Sequence, residues 1–186
     1  MTADKSDLEL LARIAAGDQD AFARLVRCHQ GNVFNLAYRF SRGRPDAEDL
    51  TQEIFFKVWR HARSFKGQAA FSTWLYRLAV NACLNYRKKK KSRPESLPLP
   101  GDLAADTDAA GAEIIERERQ RILDQAVDAL PVRQKMVLIL AHFESKSYEE
   151  IAAIMNISIS AVETLLFRAR QNLGKILKPL KNKGAW

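Results

Sequence analysis

Apolar residues recur every three or four positions along most of the chain, and strict alternation is absent. That spacing marks amphipathic helices, whereas strands would show period-two runs bounded by hairpin turns. Leu8, Leu10, Leu11 and Ile14 begin a first helix that Gly17 ends. Asp18 or Asp20 caps a second, with Phe22, Leu25 and Val26 on one face and Val33, Phe34, Leu36, Ala37 and Phe40 continuing the pattern. Gly43-Arg44-Pro45 is a break. Asp46 then opens a helix with Leu50, Ile54 and Val58 near one face and Asp49, Glu53, Lys57 and Arg60 near the other. After a break at Lys66-Gly67-Gln68, Ser72 caps a long helix through Lys91. Further on, residues 114–130 form a charged amphipathic helix with Ile115, Ile122, Leu123 and Val127 inward. Pro131 starts the next in a favoured first-turn position, and Met136, Val137, Ile139 and Leu140 bury it. The expected fold class is all-α.

One stretch lacks the pattern. Ser92 to Glu113 holds Pro94, Pro98, Pro100, Gly101 and Gly111 with Asp102, Asp106 and Asp108, and prolines that close together preclude a regular helix. It reads as a linker over 92–113 between an N-terminal part, 1–91, and a C-terminal part, 114–186. Each part is small but able to bury a core if helical.

Charge sharpens this division. Residues 1–91 carry 17 basic and 9 acidic groups, residues 92–113 carry 1 and 5, and residues 114–186 carry 12 and 8. Two basic blocks therefore flank an acidic connector within a chain of net charge +8. That distribution favours polyanionic partners, as expected for two nucleic-acid-facing modules on a tether. The longest apolar run, Met136 to Ala141, is far too short to cross a bilayer, and the N-terminus lacks the look of a secretory signal, so a cytoplasmic protein is expected. Cys28 and Cys83 form no paired motif, and Cys28 beside His29 lacks a second ligand pair, so neither a disulfide framework nor a metal is expected. No phosphate loop, zinc-protease motif or nucleophile elbow accompanies His29, His61 and His142, so no catalytic residues are assigned.

Three constellations carry chemistry. Ser147-Tyr148-Glu149-Glu150 is a capping box ahead of a helix that buries Ile151, Ala152 and Met155. A short turn at Asn156-Ile157-Ser158 leads to a second helix capped by Ser158 or Ser160, which buries Val162, Leu166 and Ala169. This is a helix-turn-helix pattern. Its second helix would enter the major groove with Ser160, Glu163 and Thr164 nearest the bases, and Arg168 and Arg170 a turn later. A plain helical hairpin with a solvated charged face is the competing reading. The second constellation interleaves Phe65, Phe71, Trp74 and Tyr76 with Lys66 and Arg77, and ends in Arg87 and four lysines. Rings that stack on bases beside cations that hold phosphates suit single-stranded nucleic acid, although Trp74 alone reads better as core. The third is an acidic and amide strip, Asp49, Gln52 and Glu53, behind Asp46 and Glu48 in a first helical turn. It suits either a protein partner or simple complementarity to the helix dipole.

These blocks, in this order, resemble the extracytoplasmic-function sigma factors, close to the sigma-E-like branch. The resemblance rests on Gly17-Asp-Gln-Asp-Ala-Phe22, on Asp49 to Arg60, on Phe65 to Asn81, on Ser147 to Met155, and on Phe167-Arg-Ala-Arg170. It implies two helical domains: region 2 over 1–91 and region 4 over 114–186. It further implies that Asp46, Asp49, Gln52 and Glu53 dock on the clamp helices of the polymerase β′ subunit, with the β flap as a further contact. The loop Gly67 to Thr73 would capture a flipped base of the −10 element. Phe65, Lys66, Phe71, Ser72, Trp74, Tyr76, Arg77, Asn81, Asn85 and Lys88 would lie along the melted strand. Ser160, Glu163, Thr164, Phe167, Arg168 and Arg170 would read the −35 duplex. No cofactor and no membrane insertion are implied. An anti-sigma factor that covers the core-binding surfaces is, and the expected state is a monomer or a one-to-one complex.

The chain departs from the family pattern where Glu163 stands in place of a basic residue and Leu165 in place of a polar or basic one. Glutamate repels phosphate but accepts from a cytosine amino group, so the base preference is expected to differ. A self-sufficient helix-turn-helix repressor or activator is the rival function. It would need a dimer interface and a ligand or phosphorylation domain, where the N-terminal part offers basic and aromatic groups instead.

Overall fold

A computed structural model describes the backbone of residues 2–91 and 111–181, and the side chains of 6–90 and 116–178. Eight α-helices and one 3-10 turn make up the described residues, without a strand among them. The N-terminal module comprises α1 (Thr2–Ala15), α2 (Gln19–Ser41), α3 (Arg44–His61), a 3-10 turn at Ala62–Ser64 and α4 (Phe71–Lys91). The C-terminal module comprises α5 (Gly111–Asp128), α6 (Val132–His142), α7 (Tyr148–Met155) and α8 (Ile159–Lys181). Most of the expected linker, 92–110, lies outside the described residues, and its last three positions belong to α5.

Local chemistry sets the helix boundaries. Gly17, at φ +93°, ends the first helix in a conformation that side chains disfavour. Asp18 rather than Asp20 caps α2, accepting from the Ala21 N–H at 2.9 Å. The helix α3 begins at Arg44, two residues before Asp46, because Gly43 occupies the cap and Pro45 fits the first turn. Ser72 does not cap α4 from outside. The helix already includes Phe71, and the Ala70 carbonyl accepts from the Trp74 N–H. Pro131 is the cap of α6 rather than its first residue.

The capping box at α7 is complete. Glu150 N–H donates to Ser147 Oγ at 3.2 Å, and Ser147 N–H donates to the Glu150 carboxylate at 2.8 Å. We expect Ser147→Ala to cost about 1 kcal/mol in a urea titration, with the loss confined to α7 in hydrogen exchange. A loss spread evenly over all helices would contradict a local cap.

The two modules share one core. Leu25, Leu36, Ile54, Val58, Phe71 and Val80 of the first form one buried cluster with Met136, Ile139, Leu140, Ile151 and Leu166 of the second. Helices α2 and α4 meet α6, and α4 also meets α7. The sequence pattern predicts two tethered modules; their packing against each other is a result of the structure.

Candidate nucleic-acid interface

The helix-turn-helix is α7 and α8. Asn156 takes a left-handed conformation (φ 52°, ψ 55°) and ends α7, as asparagine tolerates better than most residues. Ser158 caps α8 through the Ala161 N–H at 3.2 Å and lies 3.0 Å from the Ser160 hydroxyl. Val162, Leu166 and Ala169 are buried. Ser160, Glu163, Thr164, Phe167, Arg168 and Arg170 are all exposed, with 60% of Phe167 open to solvent. A ring that exposed contributes little to packing within the chain. The Thr164 hydroxyl donates back to the Ser160 carbonyl at 2.8 Å.

The second set lies on the loop before α4 and on α4 itself. Gly67 adopts φ +67°, which turns the loop tightly. Lys66, Gly67 and Ser72 are exposed. Phe65 packs on Trp74 with ring centroids 5.1 Å apart, and both rings are partly buried. Asn81, Asn85 and Lys88 follow at helical spacing on an exposed face. Phe71 is different. It is fully buried against His29 and Trp74, which removes it from any stacking surface. Its spacing with Leu75, Ala79 and Ala82, all buried, is the inward face of α4.

Tyr76 and Arg77 are also not open to a strand in this arrangement. The Tyr76 hydroxyl donates to Glu144 at 2.7 Å, and Lys146 Nζ lies 4.5 Å from the ring centroid. Burial, reinforced by Glu144, holds the phenol in its protonated form well above the ordinary tyrosine range. Arg77 Nη2 donates to the Ala153 carbonyl at 2.6 Å.

The acidic strip divides. Asp49, Gln52 and Glu53 are exposed on α3, with Glu53 paired to Lys57 at 2.5 Å. Asp46 is half-buried and pairs with Lys90 of α4 at 3.2 Å. Beside the strip runs a groove of about 790 Å³ between α2 and α3, lined by Phe22, Val26, Gln52, Phe55, Phe56 and Trp59 among others. Phe56 is 58% exposed, with Arg60 5.6 Å from its ring centroid. The groove reaches the strip at Gln52, and of its rings Phe56 alone is exposed, with Phe55 buried and Phe22 and Trp59 half-buried. Its apolar half is not marked by the spacing of the carboxylates. Phe56 falling outside the Leu50, Ile54, Val58 stripe is the available signal.

Residues 25–93 match the family model of sigma-70 region 2, and residues 120–173 that of sigma-70 region 4. The ECF RNA polymerase sigma-E factor of Escherichia coli is 35% identical, over 97% of this chain and 98% of its own. The chain belongs to the extracytoplasmic-function sigma factors. The RNA polymerase sigma-H factor of Pseudomonas aeruginosa is 34% identical over 97% of this chain and 98% of its own. Among solved structures, CnrH in complex with the cytosolic domain of CnrY superposes with a TM-score of 0.67 at 26% identity, covering 94% of this chain and 98% of that one. The sigma factor RpoE in complex with the anti-sigma factor NepR, from Bartonella quintana, shares the fold at a TM-score of 0.61 and 23% identity, over 84% of this chain and 96% of that one.

As a sigma factor, the chain binds core RNA polymerase and directs promoter-specific initiation. None of its described helices is alone long and apolar enough to cross a membrane. The apolar pair that would suffice in length is α7 and α8, bent by 102° at the turn of the helix-turn-helix. The buried Cys83 thiol is pushed up to about 12 by burial and is therefore inert as a thiolate. Cys28 is exposed, and His29 is held by Asp7 at 2.9 Å.

Proposed function

We propose that the sigma role is divided along the chain, with residues 1–91 engaging core and the −10 element, 92–113 as the tether and 114–186 reading the −35 element. The reading rests on one observation above the others: the exposed face of α8 carries Glu163, Thr164, Phe167, Arg168 and Arg170 behind a correctly capped helix-turn-helix. Its early residues point away from the core and toward any duplex laid across it. On α4 and its preceding loop, Lys66, Gly67, Ser72, Trp74, Asn81, Asn85 and Lys88 supply the strand-facing groups. Polymerase docking belongs to Asp49, Gln52 and Glu53, extended by the apolar groove around Phe56. The chain acts by binding alone, and bond formation belongs to the polymerase. Its further partner is an anti-sigma factor; CnrH, alike over both modules, was captured with the cytosolic domain of CnrY.

Run-off transcription with purified core and a promoter library tests the reading. Promoter-specific transcripts that require this chain support it. Tight duplex binding without core, and no transcript, would favour a self-sufficient repressor.

The groove has its own test. Phe56→Glu puts a charge where an apolar contact is needed, yet Phe56 is too exposed to hold the fold together. Affinity for core is expected to fall about tenfold, with melting temperature unchanged. Unaltered core binding would confine docking to the acidic strip.

A further inference from the structure

The loop between the 3-10 turn and α4 carries Lys66 and Gly67, and both of its ends lead back to α1. That helix supplies none of the groups proposed above for the strand or the polymerase. At the entry, Arg63 Nε donates to the Ala15 carbonyl at 2.7 Å, across 48 positions of sequence. Ala15 is the last residue of α1, where carbonyls lack partners within the helix and the dipole favours a cation. The N–H groups of Ala16, Gly17 and Asp18 turn back to Ala12, Arg13 and Ile14, which leaves the Ala15 carbonyl to Arg63. The 3-10 turn passes this anchorage on. Ala62 is buried, Ser64 Oγ donates to the His61 carbonyl at 2.8 Å, and the Phe65 N–H donates to the Ala62 carbonyl at 3.3 Å.

At the exit, Phe71 opens α4 with its ring centroid 5.2 Å from that of His29. His29 Nε2 is held at 2.9 Å by Asp7 of α1, which is itself buried. Between these anchors lie residues 65–70, where Lys66, Gly67, Gln68 and Ala70 are exposed and Gly67 turns at φ +67°. Arg63 is exposed too, so its bond to Ala15 adds little to the stability of the whole chain. What the bond fixes is where the loop begins. The plainer reading, a guanidinium that merely ends α1, requires a frayed helix and an unchanged loop when Arg63 is lost. The second tether, from the same helix to the other end of the same loop, favours positioning.

We infer that Arg63 is a positioning residue for the loop at 65–70, and that α1 is the frame that holds this loop ready for a base turned out of the −10 strand. This rests on the assignment of Lys66, Gly67 and Ser72 to that strand. A loop already fixed at both ends loses less freedom on closing over a base than one fixed at a single end. Arg63 acts through the loop and touches neither base nor phosphate.

The test uses the full chain on core polymerase, with a single-stranded −10 oligonucleotide from a promoter that the run-off library yields. An abasic site is placed at each position in turn, and the affinity lost measures that base. Gly67→Val identifies the base held by the loop, because φ +67° disfavours a branched side chain while the space around Gly67 is open. Arg63→Ala should weaken binding of the intact strand about tenfold, as for coupled groups in one network. It should also lose most of the abasic penalty at that same position and at no other. Core affinity and melting temperature should not move. Arg63→Lys, which keeps a donor for the Ala15 carbonyl, should recover most of the loss. Weaker binding with every abasic penalty kept would mean that Arg63 holds phosphate, and overturns positioning. Unchanged binding would leave Arg63 as the end of α1 and overturn it equally. If Gly67→Val alters no position, the loop assignment falls and the inference with it. An effect of Gly67→Val without one of Arg63→Ala removes the inference alone.

Discussion

Phe71→Ala is expected to destabilise the N-terminal module by about 3–5 kcal/mol, the range for emptying a fully buried ring site. Phe71 has no exposed surface, sits at the first position of α4, and has His29 and Trp74 rings at centroid distances of 5.2 Å and 5.9 Å. Small domains have only roughly 5–15 kcal/mol of stability in total, so this one truncation removes a large share. The loss should also reach function, because Trp74 supports Phe65, and the two hold the loop that carries Lys66 and Gly67. Phe167→Ala is the control. That ring is 60% exposed, so stability should move by no more than about 0.5 kcal/mol, as for surface changes away from special features, while duplex binding suffers. Urea titrations of the two variants make the comparison. Similar stability for both would mean that Phe71 is not the packing residue its burial makes it.

The contrast between these two phenylalanines shows what the sequence makes legible. Caps and breaks are local, so Asp18, Gly17, the Ser147 box and the turn at Asn156 are all visible from neighbouring residues. Composition groups Phe71 with the stacking aromatics, although its phase with Leu75 and Ala79 already places it inward. The helix α3 starts two residues before Asp46 because Pro45, which looks like a breaker, begins a helix from its first turn. The joining contacts are beyond reach for another reason. Tyr76 and Glu144 are 68 positions apart, and nothing in either residue's surroundings distinguishes a partner across the chain from a partner in DNA. Asp46 shows the same limit, since its pairing with Lys90 depends on how α3 and α4 pack. Helices follow from neighbours, whereas the use of a polar side chain follows from tertiary placement.

Glu163→Ala is expected to change which base is preferred far more than how tightly the −35 duplex is held. Glu163 is exposed in the second turn of α8, one turn before Phe167 and ahead of two arginines. Its carboxylate repels phosphate and thereby lowers affinity for every sequence. Aimed at a base edge, the same group accepts from a cytosine amino group, and one such pairing is worth about 1–3 kcal/mol of discrimination. Removing it deletes both effects, which oppose each other in overall affinity and not in preference. Leu165, the other departure from the family pattern, needs no such account. It is partly buried against the main core, so its apolar side chain serves packing. The check is selection from a duplex library randomised over the −35 positions, with wild type and variant each bound to core polymerase. A preference for cytosine at one position, present in wild type and absent from the variant, is the expected result. A uniform change in affinity with preference untouched would show that Glu163 faces phosphate alone. Arg170→Ala gives the opposite signature in the same experiment. Without the guanidinium to hold a phosphate, all sequences should bind more weakly together and the salt slope should fall by about one unit. That pairing of outcomes separates the residue that chooses the promoter from the residue that merely holds it.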